Sequence, residues 1–221
     1  MNDLEERLER ACRALGLETG EDRMAAARTF LEELARWNRA YNLVGRRATW
    51  EDLVGHFIDS LAPLIYGSLS GEEEEMLDLG SGAGFPGVPL AIMDGPLGMT
   101  LVEPARKKQA FLRHIRRKLG LEGLRVLGMR CEEMSKKEDY LNAYDRVFMR
   151  AVADPQRAMR MARPLLSSRG TLVLFLGKEA GASLENRKKE AQKAGLKLES
   201  LRSTRKLTGK DNYIALLRKK E

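Results

Sequence analysis

The densest run of residues able to do chemistry is Leu77-Asp78-Leu79-Gly80-Ser81-Gly82-Ala83-Gly84-Phe85-Pro86-Gly87. Glycines at the alternate positions Gly80, Gly82 and Gly84 let a backbone turn sharply and approach a ligand with no side chain in the way. The apolar run Val88 to Met93 follows, and a helix starting there offers unpaired N–H groups to a negative group. A second feature sits about twenty residues on, where Glu103 ends the apolar segment Thr100-Leu101-Val102. A carboxylate at such a strand end accepts hydrogen bonds from both hydroxyls of a ribose. Either feature alone has a plain reading, a ligand-free turn or a surface glutamate. Together they predict a nucleoside site.

Two cofactor classes compete for it. A dinucleotide fingerprint needs Gly-x-Gly-x-x-Gly, but Phe85 stands where the third glycine belongs and Gly84 comes one residue early. Gly-x-Gly-x-Gly after the acidic strand end at Asp78 instead looks like the first motif of S-adenosylmethionine methyltransferases. That ligand has no pyrophosphate and would set its methionine end near the loop.

Elements able to position these groups follow from periodicity. Leu4, Leu8, Ala11 and Leu15 fall on one helical stripe, and Met24, Ala27, Leu31, Leu34 and Trp37 on another. Thr49 with Asp52 three residues on predicts a helix N-terminus, behind which Leu53, Phe57 and Leu61 form an apolar edge. From Met76 short apolar runs alternate with helical stretches. Strands are expected at Met76–Leu79, Thr100–Glu103, Arg125–Leu127, Arg146–Met149, Thr171–Leu176 and Tyr213–Leu217. Helices are expected at 105–119, 155–166 and 183–194. The alternation predicts an α/β fold, a doubly wound parallel sheet covered by helices. The acidic run after Gly71 reads as a solvated junction, giving a helical N-terminal extension (1–70) and a sheet domain (71–221) that pack as two parts or as one unit.

Composition narrows the partners. Lys and Arg number 39 against 32 Asp and Glu, a net charge of +7 that favours a polyanion, although most charges simply solvate the surface. Two cysteines, Cys12 and Cys131, and two histidines make a protein-built metal site or a disulfide improbable. The N-terminus has neither a signal-peptide pattern nor an apolar membrane anchor, so a cytoplasmic protein without a membrane partner is expected.

Several segments together resemble one family, the bacterial small-subunit ribosomal RNA guanine-N7 methyltransferases (RsmG, first called glucose-inhibited division protein B). They are Arg36-Trp37-Asn38-Arg39-Ala40-Tyr41-Asn42-Leu43, His56-Phe57-Ile58-Asp59-Ser60-Leu61, Asp78 to Leu90, Lys107-Lys108-Gln109-Ala110-Phe111-Leu112 and Arg150-Ala151-Val152-Ala153. The resemblance implies a class I methyltransferase sheet, S-adenosylmethionine as cofactor with S-adenosylhomocysteine as product, and N7 of a guanine in 16S ribosomal RNA as acceptor. It carries cofactor contacts onto Gly80, Phe85, the backbone around Cys131 and Glu132, and Arg150, and places Glu103 as the ribose-binding acid. Two segments depart from the family. Leu176-Gly177-Lys178 replaces Lys-Gly, and Gly209-Lys210-Asp211-Asn212-Tyr213 lacks the Arg-His pair.

Guanine N7 carries a lone pair and no proton, so its methylation requires alignment rather than a general base. The site residues are then positioning residues, with Arg150, His56 and Asn38 as candidates. Arg150 could equally cap a strand and His56 could pack; Asn38, Tyr41 and Asn42 could hold the extension against the cofactor loop or receive the target base, and Asn42 could equally cap a helix. RNA contacts are expected from Arg106, Lys107, Arg113, Arg116 and Arg117 on the 105–119 helix, and from Lys178, Arg205 and Lys210. A second basic patch is expected from Arg202, Arg205, Lys206, Lys210, Arg218, Lys219 and Lys220. The partner would be 16S ribosomal RNA or the small subunit, met by a monomer. The rivals are a methyltransferase of another substrate and a non-catalytic RNA-binding ribosome assembly factor.

Overall fold

The structure, a computed structural model, describes residues 2–14, 16–17, 20–66, 74–95, 98–151, 154–179 and 184–220. Four helices lead: α1 (Asn2–Ala14), α2 (Glu21–Tyr41), α3 (Trp50–Ser60) and the short α4 (Ala62–Ile65). The expected signal at α3 is present. Asp52 N donates to the Thr49 hydroxyl, while Thr49 N and then that hydroxyl donate to the Asp52 carboxylate and hold it below its usual range. Asn42 closes α2 in the left-handed conformation at φ 53°, its N–H bonded to the Asn38 carbonyl, so the capping role is the one it plays.

Beyond them the chain alternates: β1 (Met76–Leu79), α5 (Gly87–Asp94), β2 (Met99–Val102), α6 (Arg106–Lys118), β3 (Leu124–Leu127), α7 (Cys131–Met134), β4 (Tyr144–Arg150), α8 (Pro155–Ala162), β5 (Leu166–Leu176), α9 (Leu184–Lys193), β6 (Leu196–Ser203), α10 (Arg205–Thr208) and β7 (Tyr213–Lys219). The seven strands order as β3-β2-β1-β4-β5-β7-β6. β1 to β5 run parallel, and β7 is antiparallel to both its neighbours. The reversal at β1, which lies between β2 and β4, opens a crevice at the carboxyl ends of these strands.

Period-two alternation sorts the strands' side chains onto two faces. Met76, Leu101, Phe148 and Val173 pack with α2, α3, α5 and α6 on one side, joined by Leu8 and Cys12 of α1. Leu77, Leu79, Val147 and Leu174 pack with α7, α8 and α9 on the other. The leading helices therefore share one apolar core with the sheet. The junction at 70/71 and Leu15 lie outside the described residues, as does the side chain of Leu4.

Three expectations need correction. The helix expected over 155–166 stops at Ala162. Pro164 lacks an N–H, the chain tightens into a 3-10 turn, and β5 starts at Leu166 rather than Thr171. β6 is a seventh strand, hidden because Lys197, Glu199 and Arg202 interrupt its apolar positions and a bulge between Leu198 and Ser200 shifts their phase. It is an edge strand, where charged side chains discourage pairing with another chain. Strand β2 ends at Val102, leaving Glu103 just beyond it.

Candidate active site

The carboxyl ends of β1, β2 and β4, with α7 after β3, surround a cavity of about 470 Å³. That is within the usual range for a cofactor pocket, about 300–1,000 Å³. Gly80, Ser81, Gly82, Ala83 and Phe85 form its floor, Glu103 and Pro104 one wall, Cys131, Glu132 and Arg150 another, and Leu43, Val44 and His56 a third.

The loop is built by satisfying its own backbone. Gly80 N and Ser81 N both donate to the Val102 carbonyl at 2.9 Å, and Gly84 N donates to Ser81 at 2.7 Å. Gly80, Gly82 and Gly84 all take positive φ, at 88°, 57° and 98°. A Cβ on Gly84 would stand 2.7 Å from the Val88 side chain, so Gly84 packs the loop onto α5 behind the floor, whereas one on Gly82 would meet the Gly80 carbonyl and the Lys108 ammonium only at an ordinary 4.0 Å. Asp78 is fully buried below the loop and accepts from Gly87 N at 3.0 Å. Burial pushes its carboxyl up to about 7, the Gly87 bond only partly offsetting it. Its Oδ1 is buried with no hydrogen-bond partner among the described residues.

Glu103 is buried and fastens the loop: Oε2 accepts from Gly82 N at 3.0 Å and Oε1 from Ala105 N at 2.8 Å. Each oxygen keeps acceptor capacity for a ribose hydroxyl.

Arg150 ends β4 and is held on all sides. It donates to the His56 carbonyl and the Ser60 hydroxyl, each at 3.1 Å, meets Asp59 at 3.1 Å and lies against the rings of Phe85 and Phe175. Asp59 also accepts from the Thr204 hydroxyl at 3.2 Å. Burial lowers the pKa of Arg150 against the opposing pull of Asp59, and burial first, then Arg150, lowers that of His56. Cys131 is buried at the start of α7 with its thiol pushed up to about 12 by burial and by Glu132. It offers backbone, not a nucleophile. Glu132 pairs with Arg157 at 2.6 Å.

Asn38 does not line the cavity. Its side chain accepts from Val44 N at 3.0 Å and donates to the Gly45 carbonyl at 2.8 Å, so it fixes the turn that presents Leu43 and Val44. Lys108, Arg130, Arg157 and Met161 do line the cavity and sequence reasoning missed them. Lys108 alone carried a signal, as the neighbour of Lys107 on the first turn of α6.

Basic residues divide between the two edges of the sheet. Arg106 and Lys107 open α6 at the cavity end, and Lys178 follows the carboxyl end of β5. Arg205 and Lys210 lie between Ser203 and Tyr213, which pair beside Leu176 at the same edge. Arg113, Arg116 and Arg117 are exposed further along α6; at 1.5 Å per residue Arg116 is roughly 15 Å beyond Arg106. Arg113 and Arg116 flank a second cavity of about 370 Å³ with Arg125 at the start of β3, the opposite edge. The C-terminal cations whose side chains are described likewise do not form one patch, and the side chain of Lys206 lies outside the described residues. Arg218, opposite Thr171, pairs with Glu199, and Lys219 donates to the Leu166 carbonyl, all at the far edge.

This strand order, with a glycine loop after β1 and an acid after β2, defines a class I S-adenosylmethionine-dependent methyltransferase. Solved structures share the fold: a SAM-dependent methyltransferase from Aquifex aeolicus (TM-score 0.56, 18% identity, 73% of this chain and 91% of that one) and M. jannaschii TYW2 in complex with AdoMet (0.54, 17%, 78% and 76%). Residues 23–211 match the family described as rRNA small subunit methyltransferase G. Relatives named ribosomal RNA small subunit methyltransferase G include one from Streptococcus equi subsp. zooepidemicus, 33% identical over 193 residues (87% of this chain, 81% of that one). Another is from Carboxydothermus hydrogenoformans, 32% identical over 186 residues (84% and 78%). The chain belongs to the rRNA small subunit methyltransferase G family.

The residues present fit S-adenosylmethionine. A cationic ligand suits a buried carboxylate beneath the loop, a floor without side chains at Gly80 and Gly82, and the Glu103 carboxylate on one wall.

Proposed function

We propose that this protein transfers the methyl group of S-adenosylmethionine to N7 of a guanine in 16S ribosomal RNA, releasing S-adenosylhomocysteine, and acts as a monomer in the cytoplasm. The observation that carries the reading is a cofactor-shaped cavity whose ionisable groups are already committed. His56 accepts from Arg150, the Cys131 thiol stays protonated, and Glu103 fastens the loop. Such a site suits an acceptor atom that has nothing to deprotonate.

When bound, S-adenosylmethionine supplies an electrophilic methyl group on a sulfonium. The N7 lone pair forms the new N–C bond as the S–C bond breaks and its electron pair stays on sulfur; no proton moves. Glu103 would hold the ribose, Gly80, Gly82 and Phe85 the methionine side, and Asp78 would balance the cation from beneath. Arg150, locked by Asp59 and Ser60, sets the position of Phe85 and, on the acceptor side, of His56. The gain is one of orientation and water exclusion.

Expression in a bacterial strain that lacks its own 16S guanine-N7 enzyme provides the test. Restored 7-methylguanosine in 16S RNA supports the assignment; well-expressed, folded protein with no such nucleoside counts against it.

A further inference from the structure

Tyr41 is 45% exposed, which singles it out among the large aromatic side chains of the described residues. Its ring is not loose. It packs on Trp37 at 5.3 Å between centroids, and Trp37 packs in turn on Phe111 at 5.6 Å and His114 at 5.3 Å. Phe111 is fully buried and reaches Phe30 in the core. A ladder of rings thus runs from the core to the surface and ends in an open one. The Lys107 ammonium stands 5.7 Å from the Tyr41 ring centroid. Two other cations are neutralised, Arg150 in the site by Asp59 and Lys118 at the far end of α6 by Glu33. Among the described residues no carboxylate pairs with Lys107 or its neighbour Arg106.

Place in the chain puts this pair at the cavity mouth. Tyr41 directly precedes the Asn42 cap and the cavity-lining Leu43 and Val44; Lys107 directly precedes the cavity-lining Lys108. We propose that Tyr41 and Lys107 form a docking platform for a nucleotide flanking the target guanine, its base stacked on Tyr41 and its phosphate held by Lys107. The chemistry is that of single-stranded recognition, an aromatic face with a cation that no carboxylate neutralises standing over its ring and able to move to a phosphate, and with the ring held in place before the base arrives. A guanine drawn from a loop into the cavity leaves its neighbour unstacked, and the platform receives it. This rests on the RNA substrate proposed above.

The experiment measures binding of the full chain to unmethylated small ribosomal subunits and to protein-free 16S RNA, with methyl transfer followed in parallel. Tyr41→Ala is expected to weaken binding about tenfold while Tyr41→Phe, which keeps the ring, stays within about twofold of the parent. Lys107→Gln is expected to reduce the slope of log affinity against log salt by about 0.7, one single-strand phosphate. Cofactor affinity and melting temperature of both Tyr41 variants should match the parent, which separates docking from a packing defect. Unchanged binding for Tyr41→Ala, equal loss in Tyr41→Phe, or loss of cofactor affinity alongside RNA affinity would each overturn the platform. A parent protein that binds neither RNA nor subunits would overturn it as well. Binding with the expected Tyr41 dependence but no 7-methylguanosine would instead overturn the reaction proposed above and leave the platform standing.

Discussion

Arg150 donates through Nη2 to Nδ1 of His56 at 2.8 Å. An arginine has no acceptor, so the His56 ring presents a bare Nδ1 and carries its proton on Nε2. Burial and the positive charge of Arg150 both oppose a second proton on that ring. The histidine of the site is therefore a neutral wall group with its N–H free for a hydrogen bond.

The same guanidinium compensates the buried Asp59. Removing it alone leaves an unpaired buried carboxylate, so Arg150→Met should cost about 3–5 kcal/mol in chemical denaturation. Adding Asp59→Asn should recover much of that stability but not cofactor affinity or transfer, since Phe85 and His56 lose their support. Recovery of both together would reduce Arg150 to a charge-balancing role.

Asp78 has a folded pKa raised to about 7 from an ordinary value of 3.8. The folded state thus binds the extra proton, and the buried charge erodes stability as pH rises from about 4 through about 7. A cation bound above it favours the ionised form, so cofactor binding should release a proton and tighten as pH rises through about 7. Titration calorimetry in two buffers of different ionisation enthalpy checks this. Asp78→Asn should bind more weakly and lose the pH dependence, while becoming relatively more stable above pH 7.

Two glycines of the loop should respond differently. Gly84→Ala meets Val88 at 2.7 Å in a conformation of φ 98°, and should lower stability by about 1–3 kcal/mol through displacement of α5. A Cβ at Gly82 meets the Gly80 carbonyl and the Lys108 ammonium only at an ordinary 4.0 Å, but an aspartate there would stand in the cavity floor between Lys108 and Glu103, whose carboxylate is already 3.0 Å from Gly82 N. Gly82→Asp should abolish cofactor binding in a protein that still folds by circular dichroism. Unchanged cofactor affinity would remove the loop from the site.

The division of basic residues gives an RNA prediction. Charge reversal at Arg106, Lys178 and Lys210, on the cavity edge, should weaken binding to small subunits by one to two orders of magnitude at low salt and flatten its salt dependence. Reversal at Arg113, Arg116 and Arg117, roughly 15 Å along α6, should do so less. Equal effects in filter-binding titrations would mean that the RNA wraps both edges.

Much of this was legible in the sequence because it is local. Thr49 and Asp52, the apolar spacing of α2 and the glycine loop each report on their own neighbourhood, and all three lie where expected. Glu103 was placed by its distance from the loop, although the strand ends one residue sooner. What escaped depends on distant partners. The role of Asn38 lies in a turn six and seven residues away, and that of Arg150 in contacts ninety or more residues away. Glu33 is another case. Burial alone would raise its carboxyl, yet hydrogen bonds from Lys118, His114 and Arg36 outweigh it and hold it at about 2. Nothing in the spacing of α2 announces that cluster. The C-terminal basic residues looked alike in sequence because only the antiparallel β7 reveals which end of the sheet each one occupies.

The central claim is tested most directly by incubating the purified chain with methyl-labelled S-adenosylmethionine and small subunits that lack the modification, then resolving the nucleosides of the 16S RNA. The account predicts label in 7-methylguanosine alone. Label in another nucleoside or in a ribosomal protein, or none despite bound cofactor, would contradict it.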